Sequence, residues 1–342
     1  MIGYYVHHVG RGHLHRACQL AAELEMRGES VTGLSSLPRP EGWVGEWAHL
    51  PRDDRTSEVE ADAPTARGRL HWAPVGHAGL RGRMAQIARW IDRAAPAAVV
   101  CDVSVEVELL ARLHGVRVVT VVLPGTRDDP AHLLGFDVAD LLVGFWPSAA
   151  HGMLRGTPYD VKERVHAVGA LSRFSPVDAP PASGGVDPRG SRPGSAVLLW
   201  GAGGHAVTGA DIASMRAQTP SWHWTVLGGS EDTWVDDPWE AIRTADVVVT
   251  HAGQNALAEI AAAQRPAVVL PQERPHDEQR VTAAILADGD WPAVVRESWP
   301  THGWSELLGH ASGLDGSLWT EWCDGRAAQR FADSVQAVAG QS

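Results

Sequence analysis

Two kinds of hydrophobic spacing take turns along the chain. Short apolar runs fall at residues 2–9, 30–34, 97–101, 117–123, 140–145 and 165–168, and again at 196–200, 222–227, 247–249 and 267–270. Runs this short and this apolar predict strands buried on both faces, as in a parallel sheet covered by helices. Between them lie segments in which apolar residues return every third or fourth position. Residues 14–27 do so through Ala17, Leu20, Ala21 and Leu24, with Gly28 placed to cap the end. Residues 80–93 do so through Leu80, Met84, Ile87 and Ile91. Further helices are predicted at 105–114, at 238–244, from about Asn255 onward and at 326–338. This alternation predicts an α/β chain built from nucleotide-binding-type halves.

The pattern lapses in three places. From 38 to 79 the periodicity fades, and Trp43, Trp47, His71, Trp72 and His77 gather among Pro, Gly and Asp. A long irregular stretch inside a domain is usually functional. From 173 to 195 Pro, Gly and Ser dominate, which marks a linker. Residues 288–316 are rich in Trp and Gly and give no clear assignment. The linker separates a unit at 1–172 from one at 196–325, with a terminal helix at 326–342. A chain of 342 residues has room for two such domains.

Composition narrows the function classes. No apolar run approaches the roughly 20 residues that span a bilayer. The chain moves from Met1 straight into a strand without a basic segment, so no signal peptide is expected. Cys18, Cys101 and Cys323 are too far apart in sequence for a disulfide framework or a zinc motif, which suggests a reducing compartment, the cytoplasm by default. The formal net charge is −12, of which −10 falls on residues 173–342, and that argues against a nucleic-acid partner. Arg81, Arg83, Arg89 and Arg93 lie largely off the apolar stripe of their helix. They form either an ordinary solvated face or a surface for an anionic acceptor or the inner membrane leaflet.

Candidate chemistry concentrates in two loops. After the first strand, Gly10-x-Gly12 suggests a dinucleotide fingerprint, but His15 stands where the third glycine belongs. The second strand ends in Ser35-Ser36 and offers no acid for a ribose, so a nicotinamide cofactor is not expected. The densest stretch is 246–279. Here an apolar strand ends at Thr250-His251, a turn follows through Ala252-Gly253, and a helix opens near Asn255 with Glu259 one turn on. A second strand then leads to Glu278-Gln279. A helix start at the carboxyl end of a parallel strand is an anion site, because its first N–H groups lack partners. His251 and Asn255 add side-chain donors there, and Glu259 can accept from a neutral diol.

His251, Gly253, Asn255 and Glu259, followed by Glu278-Gln279, resemble the donor-binding signature of GT-B glycosyltransferases. The resemblance is to the nucleotide-sugar-dependent, metal-independent branches, which include the UDP-glucuronosyl/UDP-glucosyltransferases and MurG. It implies two Rossmann-like domains facing a cleft, with the C-terminal helix crossing back to the first domain. It implies a UDP- or TDP-linked sugar as donor substrate, with no cofactor and no metal. His251, Gly253, Gln254 and Asn255 would hold the diphosphate, Glu259 the ribose, and Glu278 and Gln279 the sugar hydroxyls. Gly201, Gly203 and Gly204 would approach the phosphates or form a plain turn, and Trp234-Val235 would lie against the nucleobase. On the acceptor side Gly12-His13 resembles the family's glycine-histidine loop, which makes His13 the base, with His7, His8 and His15 close by as alternatives. Asp102 would orient that base, or simply cap the helix that begins near Ser104. Gly12, Trp43 and Trp72 are the candidate acceptor contacts. Asp288-Gly-Asp290 reads as a turn, and His13-x-His15 lacks further ligands for a metal. The expected reaction is an inverting, metal-independent transfer to a small-molecule or lipid-linked acceptor. A nucleotide-sugar epimerase or hydrolase, or a non-catalytic nucleotide-sugar-binding protein, is the alternative.

Overall fold

The computed structural model describes residues 1–8, 11–54, 62–176, 193–201, 207–229 and 231–340. In the first half β1 (Ile2–Val6) leads into α1 (Arg11–Met26), β2 (Val31–Ser35), β3 (Glu46–His49) and α2 (Ala78–Ala94). Then come β4 (Ala98–Asp102), α3 (Val105–Leu113), β5 (Arg117–Val122), β6 (Gly125–Thr126) and α4 (Pro130–Val138). β7 (Leu141–Gly144), β8 (Leu154–Arg155), α5 (Tyr159–Glu163) and β9 (Val165–Ala167) complete this half. The second half holds β10 (Gly194–Trp200), α6 (Gly209–Gln218), β11 (Trp222–Gly228), α7 (Trp239–Thr244), β12 (Val247–Thr250) and α8 (Gln254–Ala262). β13 (Ala267–Val269), α9 (Glu278–Asp288), β14 (Ala293–Val295), α10 (Trp304–Ser312) and α11 (Ala327–Ala339) follow.

Each half carries one parallel sheet. The order is β3-β2-β1-β4-β5-β7-β9 in the first and β11-β10-β12-β13-β14 in the second. Both faces are covered, which is why the central strands read as unbroken apolar runs. On one face of the first sheet Leu20 and Leu24 of α1 pack with Phe331 and Val335 of α11 over Ile2, Tyr4 and Val100. The terminal helix therefore lies on the first sheet, and Arg27, just past the end of α1, fastens it through Asp333 at 2.5 Å and the Gln329 carbonyl at 3.1 Å. On the opposite face Ile87 and Trp90 of α2 and Val107 of α3 meet Tyr5, Val99 and Cys101. Among the described residues no helix is long and apolar enough to cross a membrane.

Three expectations change. α1 begins at Arg11, so Gly12 and His13 belong to its first turn; the helical periodicity starts only at the first apolar residue and misses them. Trp43 is a core residue, 4 % exposed and edge-on to Trp47 at 4.8 Å, with its indole N–H donating to the Glu46 carbonyl. It packs on the α1 and α11 face and is corrected from an acceptor contact to a structural one. Arg83 is 1 % exposed and donates to the Tyr5 hydroxyl, Ser36, the Pro51 carbonyl and Asp53. It precedes Ile87 by four residues and so shares the buried stripe of α2. The basic face is thereby reduced to Arg81, Arg89 and Arg93, all exposed.

Candidate functional site

The register of the first sheet builds the first half of the site. Val6 pairs with Asp102, so the carboxyl ends of β1 and β4 lie side by side, and α1 starts just beyond them. His13, in the first turn of α1, places Nδ1 2.9 Å from Asp102 Oδ1. Arg16, one turn further on, donates Nε to Asp102 Oδ2 at 3.0 Å and a terminal N–H to Oδ1 at 3.2 Å. Asp102 is fully buried. Burial alone would raise its pKa, but Arg16 and then His13 outweigh that and hold the carboxyl at about 2. An ionised carboxylate only accepts, so His13 carries a proton on Nδ1. The capping alternative for Asp102 is not used, because Ser104 caps α3. Val103, between them, has φ +67, a strained value for a β-branched residue, where the chain turns sharply out of the strand. Of the neighbouring histidines, His7 stacks on His8 and meets His13 edge-on at 5.9 Å, while His8 faces Asp54 at 3.1 Å.

The second half is built at the end of β12. Gly253 precedes α8 without a side-chain cap, which leaves the first N–H groups of the helix open to an anion. His251 Nδ1 accepts the Gly253 N–H at 2.9 Å. Burial first, and Arg274 second, push the His251 pKa down to about 4, so the ring is neutral with its proton on Nε2. That nitrogen faces Gly201, where an added Cβ would lie 2.8 Å away. Gln279 is buried, accepts the Gln272 N–H at 2.9 Å and reaches His251 Nδ1 at 3.4 Å. Glu278 lies 3.9 Å from Arg127. Glu259, also buried, accepts Arg173 Nε at 2.8 Å. Its pKa is raised by burial against the opposing pull of Arg173.

The two halves meet. A Cβ on Gly12 would stand 3.1 Å from Asn255 Nδ2, so the starts of α1 and α8 converge. Beside this point opens a cleft of about 640 Å³ lined by Gly12, His15, Gly201, Trp234, Val235, His251, Asn255 and Glu259 among others. Trp234 and Val235 are 42 % and 39 % exposed, unusual for apolar side chains and suited to a flat ligand. Gln254 opens α8. Trp72 donates its indole N–H to the Asp53 carbonyl and lines none of the described pockets, the cleft included. Gly203 and Gly204 lie outside the described residues. Sequence reasoning missed Arg16, Arg173 and Arg274. For Arg16 a signal was present, since it follows His13 by three residues on one helix face.

Residues 233–298 match the glycosyltransferase family 28 C-terminal domain. No curated protein matches in sequence. Among solved structures the chain is similar to the glycotransferase of kitacinnamycin, with 16 % identity, TM-score 0.65, and 99 % of this chain and 98 % of that one covered. It is similar to Acinetobacter baumannii MurG, with 16 % identity, TM-score 0.61, and 98 % and 99 % covered. It is also similar to the calicheamicin glycosyltransferase CalG4, with 17 % identity, TM-score 0.62, and 99 % and 98 % covered. At these identities the likeness establishes the fold, which is GT-B. The matched segment carries Trp234, Val235, His251, Asn255, Glu259, Glu278 and Gln279.

Proposed function

We propose that the chain is an inverting, metal-independent glycosyltransferase that moves a sugar from a UDP- or TDP-linked donor to a hydroxyl of a small-molecule acceptor. The observation that carries the reading is the His13–Asp102 pair, in which His13, next in sequence to Gly12 of the cleft wall, turns Nδ1 to a buried carboxylate; the His13 ring itself lines none of the described pockets. The acceptor oxygen attacks the anomeric carbon, its proton passes to His13 Nε2, and the bond from that carbon to the diphosphate breaks. A single displacement inverts the centre. Asp102 fixes the His13 tautomer and stabilises the imidazolium as it forms. The departing diphosphate is met by His251 Nε2–H, Asn255 and the open N–H groups of α8, fixed donors that can replace a metal. Glu259 takes the ribose, Trp234 and Val235 the nucleobase, and Glu278 and Gln279 the sugar.

A small-molecule acceptor is favoured by neighbours described as the glycotransferase of kitacinnamycin and the calicheamicin glycosyltransferase; a lipid-linked acceptor is the alternative. Three free cysteines support a cytoplasmic setting. Arg81, Arg89 and Arg93 supply a peripheral contact with anionic lipid, which vesicle co-sedimentation tests. For the reaction, His13→Ala should abolish transfer to an acceptor panel while leaving UDP affinity within about twofold. Anomeric coupling in the product NMR spectrum should report inversion, and calorimetric UDP affinity should be the same in EDTA. Full transfer by His13→Ala would remove the base.

A further inference from the structure

A second polar cluster stands where the two halves meet again, away from His13 and Asp102. Asp129 caps α4, accepting the N–H groups of Ala131 and His132 at 3.2 and 3.1 Å. His132, one turn into the helix, brings Nδ1 to 2.5 Å from Asp129 Oδ2. His71, from the irregular stretch before α2, places Nε2 3.2 Å from His132 Nδ1 and 3.4 Å from Asp129 Oδ1. One ligand atom from each of the three falls within 4.8 Å of the others. From the second half His276 reaches across, with Nδ1 3.9 Å from Asp129 Oδ2 and its ring centroid 4.7 Å from that of His132. The chain accepts strain to put it there. His276 and Asp277 are consecutive left-handed residues, at φ +60 and +53, each costing roughly 1–2 kcal/mol. Gly125 leaves the space, since a Cβ there would lie 2.4 Å from the His276 carbonyl oxygen.

We propose that His71, Asp129, His132 and His276 form a binding site for a divalent transition-metal ion of the zinc class, which ties the loop before α9 to the first half of the molecule. In a tetrahedral site with bonds of about 2.0–2.1 Å, neighbouring ligand atoms lie roughly 3.3–3.4 Å apart. The separations of 3.2 and 3.4 Å meet that value with Asp129 Oδ1 as the ligand atom; the 2.5 Å contact between His132 and Asp129 Oδ2 must open, and His276, 3.9 Å from Oδ2, must move inward to join the other three. Three imidazoles and one carboxylate suit zinc, nickel or copper, whereas magnesium and calcium favour all-oxygen shells. Burial keeps His132 and His276 neutral, the form that offers a lone pair.

The competing state is a hydrogen-bonded one. In it His132 donates Nδ1–H to Asp129, and Nε2 accepts from Arg127 at 3.1 Å. A metal on Nδ1 moves that proton to Nε2 and displaces the Arg127 contact. Arg127 keeps its two bonds to the Pro124 carbonyl, at 3.3 and 3.0 Å. Chelation by four side chains must therefore outweigh two hydrogen bonds, His132 to Asp129 and Arg127 to His132, and the nearby guanidinium. The other candidate, His8 with Asp53 and Asp54, offers one imidazole, and its carboxylates already serve Arg83 and Arg52. None of the proposed ligands is among His251, Gly253 and Asn255, so the ion is not the counterion of the diphosphate. Its consequence for the sugar rests on the role proposed above for Glu278 and Gln279, which the same loop carries; binding of the ion does not.

The test uses the full chain, stripped of metal and titrated with Co²⁺, which absorbs strongly in the visible when four-coordinate and weakly when six-coordinate. One equivalent should produce the strong band, and Zn²⁺ should displace it. The band should vanish in His71→Ala and in His132→Ala, persist in His8→Ala, and need about tenfold more Co²⁺ in His276→Ala. UDP binding by His71→Ala serves as the folding control. Absence of the band, its survival in both His71→Ala and His132→Ala, or its loss in His8→Ala would overturn the site. Unchanged affinity in His276→Ala would overturn the tie between halves. A strong band in a protein that transfers no sugar would sink the proposed reaction and leave the metal site standing.

Discussion

Replacing Arg16 by methionine tests whether the buried triad under the cleft is an electrostatic unit. The variant keeps an apolar stem beside Phe145, over which the guanidinium carbon lies at 5.2 Å. It removes both Arg16 bonds to Asp102 and leaves that fully buried carboxylate with His13 as its side-chain donor. In the native protein the neighbours outweigh burial far enough to bring Asp102 from 3.8 to about 2. Such a depression corresponds to about 2 kcal/mol. Deleting one partner of a buried pair typically costs about 3–5 kcal/mol, since the other charge stays behind uncompensated. Arg16→Met should therefore lose about 3 kcal/mol, and Arg16→Met/Asp102→Leu should recover most of it, as double-mutant coupling requires. Native-state hydrogen exchange at the amides of β1 and β4 reads this locally, without assuming that both halves unfold together. The sign with pH follows from the depressed pKa. The contribution of Asp102 is complete above its unfolded value near pH 4 and is lost as pH falls towards 2. In the variant the acid loss should begin at higher pH. A cost below about 1 kcal/mol, or a double variant no more stable than the single, would refute the reasoning.

Further outcomes follow from the same geometry. Gly253→Ala puts a Cβ 2.4 Å from His251 Cε1, so the ring must move. UDP affinity by calorimetry should fall about tenfold, the value of one lost charge-assisted hydrogen bond, and an unchanged affinity would exclude His251 from the diphosphate. Glu259→Gln removes the carboxylate that Arg173 holds at 2.8 Å. The variant should bind UDP and its 2′- and 3′-deoxy analogues alike, whereas the native protein should prefer UDP; equal preference in both would detach Glu259 from the ribose. Glu108 is buried and its pKa is raised to about 8 by desolvation, eased by Thr120. A raised carboxyl pKa makes the folded state hold a proton that the unfolded state releases, so native stability should decline as pH rises from about 4.5 towards 8. Glu108→Gln should flatten that decline in urea titrations, and parallel pH curves would show the group to be ionised in the fold.

What the sequence discloses depends on how far apart the cooperating residues lie. The second half of the site is local: β12, α8, β13 and the start of α9 follow one another, so spacing together with the family resemblance exposes His251, Asn255, Glu259, Glu278 and Gln279. His13 and Asp102 are 89 residues apart, and only the pairing of β1 with β4 makes them neighbours. Arg16 was visible merely as an unusual residue after His13, because nothing local says that a carboxylate waits beside it. Arg83 shows the converse error. A stripe drawn through apolar residues assigns every arginine to water, yet this one is satisfied by four groups and belongs to the core. Trp43 misled through composition, since in a chain with 15 tryptophans an aromatic in an irregular stretch is more often core than ligand contact. β3 eluded periodicity because it is a short edge strand without a buried row. His71, His132 and His276 come from three separate segments, and no spacing unites them.

Glu259 shows why the linker and the nucleotide cleft belong in one argument. Arg173 follows β9, at the start of the linker, and gives Nε to Glu259 and a terminal N–H to the Asp236 carbonyl at 2.7 Å. Its guanidinium lies over Phe174, whose ring stacks on Trp239 of α7 at 4.5 Å. The first residues of the linker are thus fastened to the second half at the edge of the cleft. The return crossing is fastened on the other side, where Arg330 of α11 donates to the Val168 carbonyl at 2.8 Å and pairs with Asp324. With α11 bound to the first sheet, both crossings are anchored. Arg173 occupies Oε1 of Glu259 and leaves Oε2 for a ligand hydroxyl. A ribose held there shares its carboxylate with the anchor of the linker.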